Sequence, residues 1–92
     1  MDMYSWDPKK SSENKKKHGI SFEEARDHIF EGKNILAVGI AYEKKEYRHA
    51  VIDKFKKKYY VAIFTIRNNE FRIISVRRAR PNEEKQAKAK GI

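Results

Sequence analysis

The side chains with most chemistry to offer are arginines. Arg77, Arg78 and Arg80 close the stretch RIISVRRAR, residues 72–80, which holds no carboxylate. A guanidinium is a planar fork that donates two hydrogen bonds at once, which suits a phosphate. The cluster is therefore a candidate phosphate site, and the plain alternative is a solvated strand end. The three histidines, His18, His28 and His49, show no metal-ligand spacing, and the chain has no cysteine, so no metal site is expected. His28 reads as structural. His18, between Lys17 and Gly19, sits where a helix should end. It could carry protons, because the unperturbed imidazole titrates near neutrality, or simply cap that helix. Phosphate-binding loops, nucleophile elbows and dinucleotide fingerprints are missing from the sequence. An enzyme built from this chain would work with Arg, Lys, His, Glu and Tyr, without a cofactor. Those types suffice for RNA cleavage, because RNA supplies its own nucleophile, the ribose 2′-hydroxyl, and the protein need only orient the chain, move protons and stabilise charge on phosphorus.

The charge balance points the same way. The 92 residues carry a net charge of +9, and such an excess attracts polyanions. Besides the arginines there are two basic patches, Lys9, Lys10, Lys15, Lys16 and Lys17, and Lys54, Lys56, Lys57 and Lys58. Each patch alone reads as a solvated surface; three together favour a nucleic-acid partner. No apolar run approaches the roughly 20 residues of a membrane helix, and the start MDMYSWDPKK lacks the apolar segment of a signal peptide. The expectation is a cytoplasmic protein without membrane contact, folded as one domain over residues 1–92. Eleven aromatic residues (five Phe, five Tyr, one Trp) argue for a packed core despite 38% charged residues.

These side chains need elements to hold them. Residues 3–6 could form a short strand. Asp7-Pro8 is an N-cap followed by a residue suited to the first helical turn, so a helix is expected from Pro8 to about Lys17, stopped by Gly19. Between Lys9 and Lys17 it has no apolar residue, so its anchors are expected at its ends, Trp6 and Ile20. Ser21 with Glu24 forms a capping box that opens a second helix, with Phe22, Ala25 and Ile29 on one face and Gly32 as its stop. The period then changes to that of strands: Ile35–Tyr42 with a possible bulge at Gly39, Glu46–Ile52, Tyr59–Arg67 as an inner strand, and Phe71–Arg78. Glu43–Lys45 reads as a turn, Asp53–Lys57 as a charged loop, and Asn68-Asn69 as a tight hairpin turn. On the last strand, strict alternation puts Arg72, Ile74, Val76 and Arg78 on one face and Phe71, Ile73, Ser75 and Arg77 on the other. A terminal helix from Pro81, with alanines as its only apolar residues, is expected to pack weakly or fray. The result is an α+β fold: a mostly antiparallel twisted sheet, two N-terminal helices packed on it and a short C-terminal helix.

Several pieces occur in a set order: Trp6-Asp7-Pro8-Lys9-Lys10, Asn14, Lys17-His18-Gly19-Ile20, Ser21-Phe22-Glu23-Glu24-Ala25 and Arg72-Ile73-Ile74-Ser75-Val76-Arg77-Arg78-Ala79. Together they resemble the BrnT family of toxins from bacterial type II toxin–antitoxin systems, over nearly the whole chain. Arg48 followed by Ile52 also resembles the family's middle strand, with Asp53 in place of a Gly, and the tail KQAKAKGI lacks the family's acidic-aromatic ending. The resemblance implies a RelE-like α+β ribonuclease that arrests growth, a BrnA-type antitoxin partner in a hetero-oligomer, and operator DNA contacted only through that antitoxin. It would place Arg48, Arg77 and Arg78 in the active cleft with Trp6 nearby, and His18 and Lys17 within the K-H-G-I-S-F-E-E-A motif. The site expected is then Arg48, Arg77, Arg78 and His18 for catalysis, with Trp6, Lys10, Lys17 and Arg80 binding RNA. The competing readings are a non-catalytic nucleic-acid-binding module and a regulatory subunit that docks an acidic partner.

Overall fold

The computed structural model describes residues 3–31 and 36–92. In chain order they form β1 (Tyr4–Ser5), α1 (Pro8–His18), α2 (Phe22–Ala25), which runs on as a π-helical turn Arg26–Phe30, then β2 (Leu36–Glu43), β3 (Glu46–Phe55), β4 (Lys58–Arg67), β5 (Glu70–Arg78) and α3 (Pro81–Ala89). The strands make one five-stranded sheet in the order β1-β5-β4-β3-β2. β1 is parallel to β5 and the other neighbours are antiparallel, so the fold is α+β with a mixed sheet. The expected helix stop at Gly32 and strand start at Ile35 lie outside the described residues. None of the helices is long and apolar enough to cross a membrane among the described residues.

Local chemistry explains most boundaries. The Asp7 carboxylate accepts from the Lys9 N–H at 2.9 Å, and Gly19, at φ 79°, ends α1 with its N–H on the Lys15 carbonyl. Ser21 and Glu24 close the capping box in both directions. The three hairpins turn on two residues each, Lys44-Lys45, Lys56-Lys57 and Asn68-Asn69, all at positive φ. The second corrects the expectation of a loop at Asp53–Lys57. Phe55 is buried, and the ladder continues through Phe55↔Lys58, so β3 reaches the turn itself. Burial of one aromatic face outweighs the charged composition around it.

One core lies between the sheet and α2. Ile20, Phe22, Ala25 and Ile29 pack on Val51, Phe55, Tyr60, Ala62, Phe64, Ile73 and Val76. A smaller core on the opposite face joins Ile52, Tyr59 and Val61 to Ala87 of α3. α3 therefore does not pack as weakly as its alanines suggest. Ala87 is fully buried, the Tyr59 hydroxyl donates to the Ile92 carbonyl, and Glu83 holds Arg77.

Two details set the geometry of β5. The register shifts between Ile63 and Phe64, which face Ser75 and Ile73, so Ile74 is the extra residue of a bulge. Ile73 and Val76 consequently enter the same core. The expected alternation fails at that point: Arg72 shares a face with Arg77, while Arg78 joins Ile73 and Val76 on the other. The second detail is how α1 is held. Ile20 is buried as expected, but the helix itself docks through polar groups. Ser11 Oγ accepts from the Phe22 N–H at 2.9 Å; Asn14 donates to the Ile20 carbonyl at 2.8 Å and accepts from the Val76 N–H at 3.2 Å. Both side chains are buried. β1 pairs only with Phe71 and Arg72, so the edge of β5 beyond it would be open, and Asn14 satisfies it.

Candidate functional site

A seam runs where α1 lies against β5. At one end, Asp7, Lys10, Arg48, Arg67, Arg72, Ile73 and the bulged Ile74 line a cleft of about 100 Å³. Ligand pockets for small molecules span roughly 300–1,000 Å³, so this cleft suits a single anionic group better than a nucleoside. Its arginines come from three neighbouring strands. Arg48, Thr65 with Arg67, and Arg72 sit on β3, β4 and β5, and Thr65 pairs with Arg72. Arg67 is engaged: it makes a two-pronged pair with Glu46 at 2.8 and 3.1 Å, and this holds the Glu46 carboxyl below its ordinary range. Arg72 makes no ion pair or side-chain hydrogen bond among the described residues.

At the other end, Lys10, Glu13, Asn14, Lys17, His18, Phe22, Ile74 and Ser75 line a cleft of about 270 Å³. Lys10 and Ile74 line both clefts, so the two adjoin. The bulge brings this about, because the extra residue turns Ile74 out of the ladder beneath α1. Beyond His18 the line reaches Arg78, whose guanidinium lies 5.5 Å from the Tyr60 ring centre; the Tyr60 hydroxyl in turn approaches Gly19. The helical rise puts His18 about 12 Å beyond Lys10, so the seam has room for an extended chain carrying more than one phosphate.

The expected site residues divide accordingly. Arg48, Lys10, Lys17 and His18 line the seam, and Arg78 stands at its end. Arg77 lies on the same face of β5 as Arg72, but toward α3, and donates two hydrogen bonds to Glu83 at 2.8 and 3.0 Å. That pair raises the Arg77 guanidinium and lowers the Glu83 carboxyl from their ordinary values, the Arg–Glu hydrogen bonds being the first cause in each. Arg80 is the N-cap of α3, where its N–H donates to Glu83. Trp6 borders a different hollow on the far side of α1, with Pro8, Ser11, Ser12, Lys15, Lys16, Ser21 and Glu23, and the Arg26 guanidinium lies 5.4 Å from its ring. Two seam residues were not expected. Glu13 lines the cleft that holds His18, and its place three residues after Lys10 and four before Lys17 on α1 was the available signal. Arg72 was hidden by the bulge, which alternation does not foresee. Among the described residues no cluster of three or more His, Cys, Asp or Glu could hold a metal ion.

A comparison with curated proteins finds no match. Residues 6–83 match the family described as the ribonuclease toxin BrnT of the type II toxin–antitoxin system. The match begins at Trp6 and ends at Glu83, so it takes in the whole seam, strands β2 to β5 and the Arg77–Glu83 pair. A basic seam on a small α+β domain and a family match over most of its length agree, and the chain belongs to the BrnT family of ribonuclease toxins.

Proposed function

We propose that the α1–β5 seam binds single-stranded RNA and cleaves it by attack of a ribose 2′-oxygen on the adjacent phosphorus, with no metal taking part. The 5′-oxygen leaves, giving a 2′,3′-cyclic phosphate and a 5′-hydroxyl. One group takes the proton of the 2′-hydroxyl and another gives one to the departing oxygen; Glu13 and His18, facing one cleft, are the pair assigned to these transfers. Arg48, Arg72 and Lys10 would hold the phosphate and its developing charge, and Lys17 and Arg78 the next stretch of backbone. Arg77 acts through Glu83, by fixing α3. The observation that carries the reading is that the arginine cleft and the His18 cleft adjoin, with Lys10 and Ile74 lining both. In the cell the reading includes a BrnA-type antitoxin that neutralises the chain and carries any contact with operator DNA.

The test is RNA cleavage by the purified chain. Activity should persist in EDTA, and the products should end in 2′,3′-cyclic phosphate. Arg48→Ala and Arg72→Ala should each lower turnover by on the order of a hundred- to a thousand-fold, the range for lost electrostatic donors. His18→Ala should cost about a hundred-fold or more. Lys57→Ala, in a hairpin turn outside the seam, should leave turnover near that of the unaltered chain. Loss of activity in EDTA that a divalent ion restores would contradict the mechanism. Near-normal turnover in all three seam variants, with folding intact, would exclude the seam.

A further inference from the structure

The two edges of the sheet are treated differently. The β5 side is closed by β1 and by Asn14 of α1. On the other side β2 is the last strand in the order, and no strand among the described residues pairs with its outer edge. Its sequence, LAVGIAYE, offers neither the lysine nor the proline that usually protects an edge. Beside this edge lies an apolar ledge. Ile40, Tyr42, Tyr47 and Ile66 are each between 54% and 64% exposed. They share one face of the sheet. Ile40 pairs with His49, which stacks on core Phe64, Tyr42 pairs with Tyr47 at 4.9 Å between ring centres, and Ile66 pairs with Phe71. The ledge thus continues the main core past the end of the π-helical turn.

Its rim is basic. Lys44 and Lys45 form the adjoining turn at φ 48° and 64°. Asn-Asn makes the same turn at residues 68–69, and Asn or Gly adopt it at less cost than Lys. The nearest carboxylate with a described partner, Glu46, is held by Arg67. An open strand edge, a row of large apolar side chains and a cationic corner together form a site for an added strand.

We infer that the outer edge of β2 and the ledge of Ile40, Tyr42, Tyr47 and Ile66 receive an extended segment of the cognate antitoxin. That segment pairs with β2 through its backbone, seats alternate apolar side chains on the ledge and sets carboxylates against Lys44 and Lys45. The inference rests on the toxin reading, and the ledge lies on the face of the sheet opposite to Arg48, Arg67 and Arg72, so their failures separate.

The experiment uses the full chain with the antitoxin encoded beside it. Ile40→Lys and Tyr42→Lys should each weaken antitoxin binding by roughly tenfold or more, as for loss of an anchor residue, while RNA cleavage by the free variant stays within about twofold of the unaltered chain. Hydrogen exchange should slow in residues 36–43 when the complex forms. Unchanged affinity in both variants, or protection confined to α1 and β5, overturns the inference while leaving the ribonuclease reading intact. Self-association of the chain that both substitutions abolish, with antitoxin affinity unchanged, assigns the edge to a second copy and overturns it too. If the antitoxin does not bind the unaltered chain, the toxin reading falls and takes this inference with it.

Discussion

Asn14 is the most informative single residue to remove. Its side chain lies 8% exposed and joins two backbone groups that have no other role in a ladder, the Ile20 carbonyl and the Val76 N–H. Asn14→Ala deletes both hydrogen bonds and leaves both groups in a space too enclosed for ready hydration. A lost bond alone costs about 1 kcal/mol, and each buried group left unpaired costs about 1–3 kcal/mol. Partial relaxation of α1 admits some water, so the expected loss is about 2–4 kcal/mol. For a chain of this size each kcal/mol moves the melting temperature by about 4–8 °C, which predicts a fall of roughly 10–30 °C. Urea denaturation should show a lower midpoint with an unchanged slope, because the folded state buries nearly the same surface. Lys16→Ala, on the exposed side of the same helix, is the control and should stay within about 0.5 kcal/mol. A loss in Asn14→Ala no greater than the control's would mean that these hydrogen bonds do not hold the helix, and the account of α1 docking would be wrong.

Three further outcomes follow from other features. Glu83 is held below its ordinary value of 4.5, so its contribution is complete above that pH and declines as pH falls through its lower folded value; Glu83→Gln should cost ~1–3 kcal/mol at neutral pH and flatten the acid limb of a stability–pH curve. Replacing Lys56-Lys57 by Asn-Gly should raise stability by about 1 kcal/mol in denaturant titrations, since those residues suit the observed positive φ values; no gain would show that the lysines turn without strain. RNA affinity should fall steeply with salt, and Arg72→Ala should reduce the slope of log K against log[salt] by about 0.7, the value for one phosphate contact on a single strand.

Where the sequence carried local instructions, the structure follows them. Asp7-Pro8, Gly19, the Ser21–Glu24 box and Asn68-Asn69 act within a few residues of themselves, and each marks an element end where expected. Features that depend on distant partners were not legible. Ser11 and Asn14 look like ordinary polar positions on a lysine-rich helix until β5 and α2 are placed beside them. The bulge at Ile74 is visible only as a mismatch with β4, yet it decides which arginines share a face. Arg77 looked as available as Arg78 because Glu83 belongs to a helix that seemed unlikely to hold firm; the pair itself helps fix that helix. Of the expected site, the members on α1 came together because helical spacing is readable, whereas the arginines depended on strand register.

Polar docking of α1 has a consequence for motion. Detaching that helix would break hydrogen bonds at Ser11 and Asn14 but expose little hydrocarbon along its own length, since its buried residues are these two. Such an opening carries a small heat-capacity change and a weak response to urea, because both scale with the surface uncovered. Lys10, Glu13, Lys17 and His18 therefore ride on an element whose attachment is set by hydrogen bonding and is largely indifferent to the strength of the hydrophobic effect. Cooling weakens hydrophobic burial, so at low temperature the attachment of α1 to β5 weakens less than the packing of α2 on the sheet.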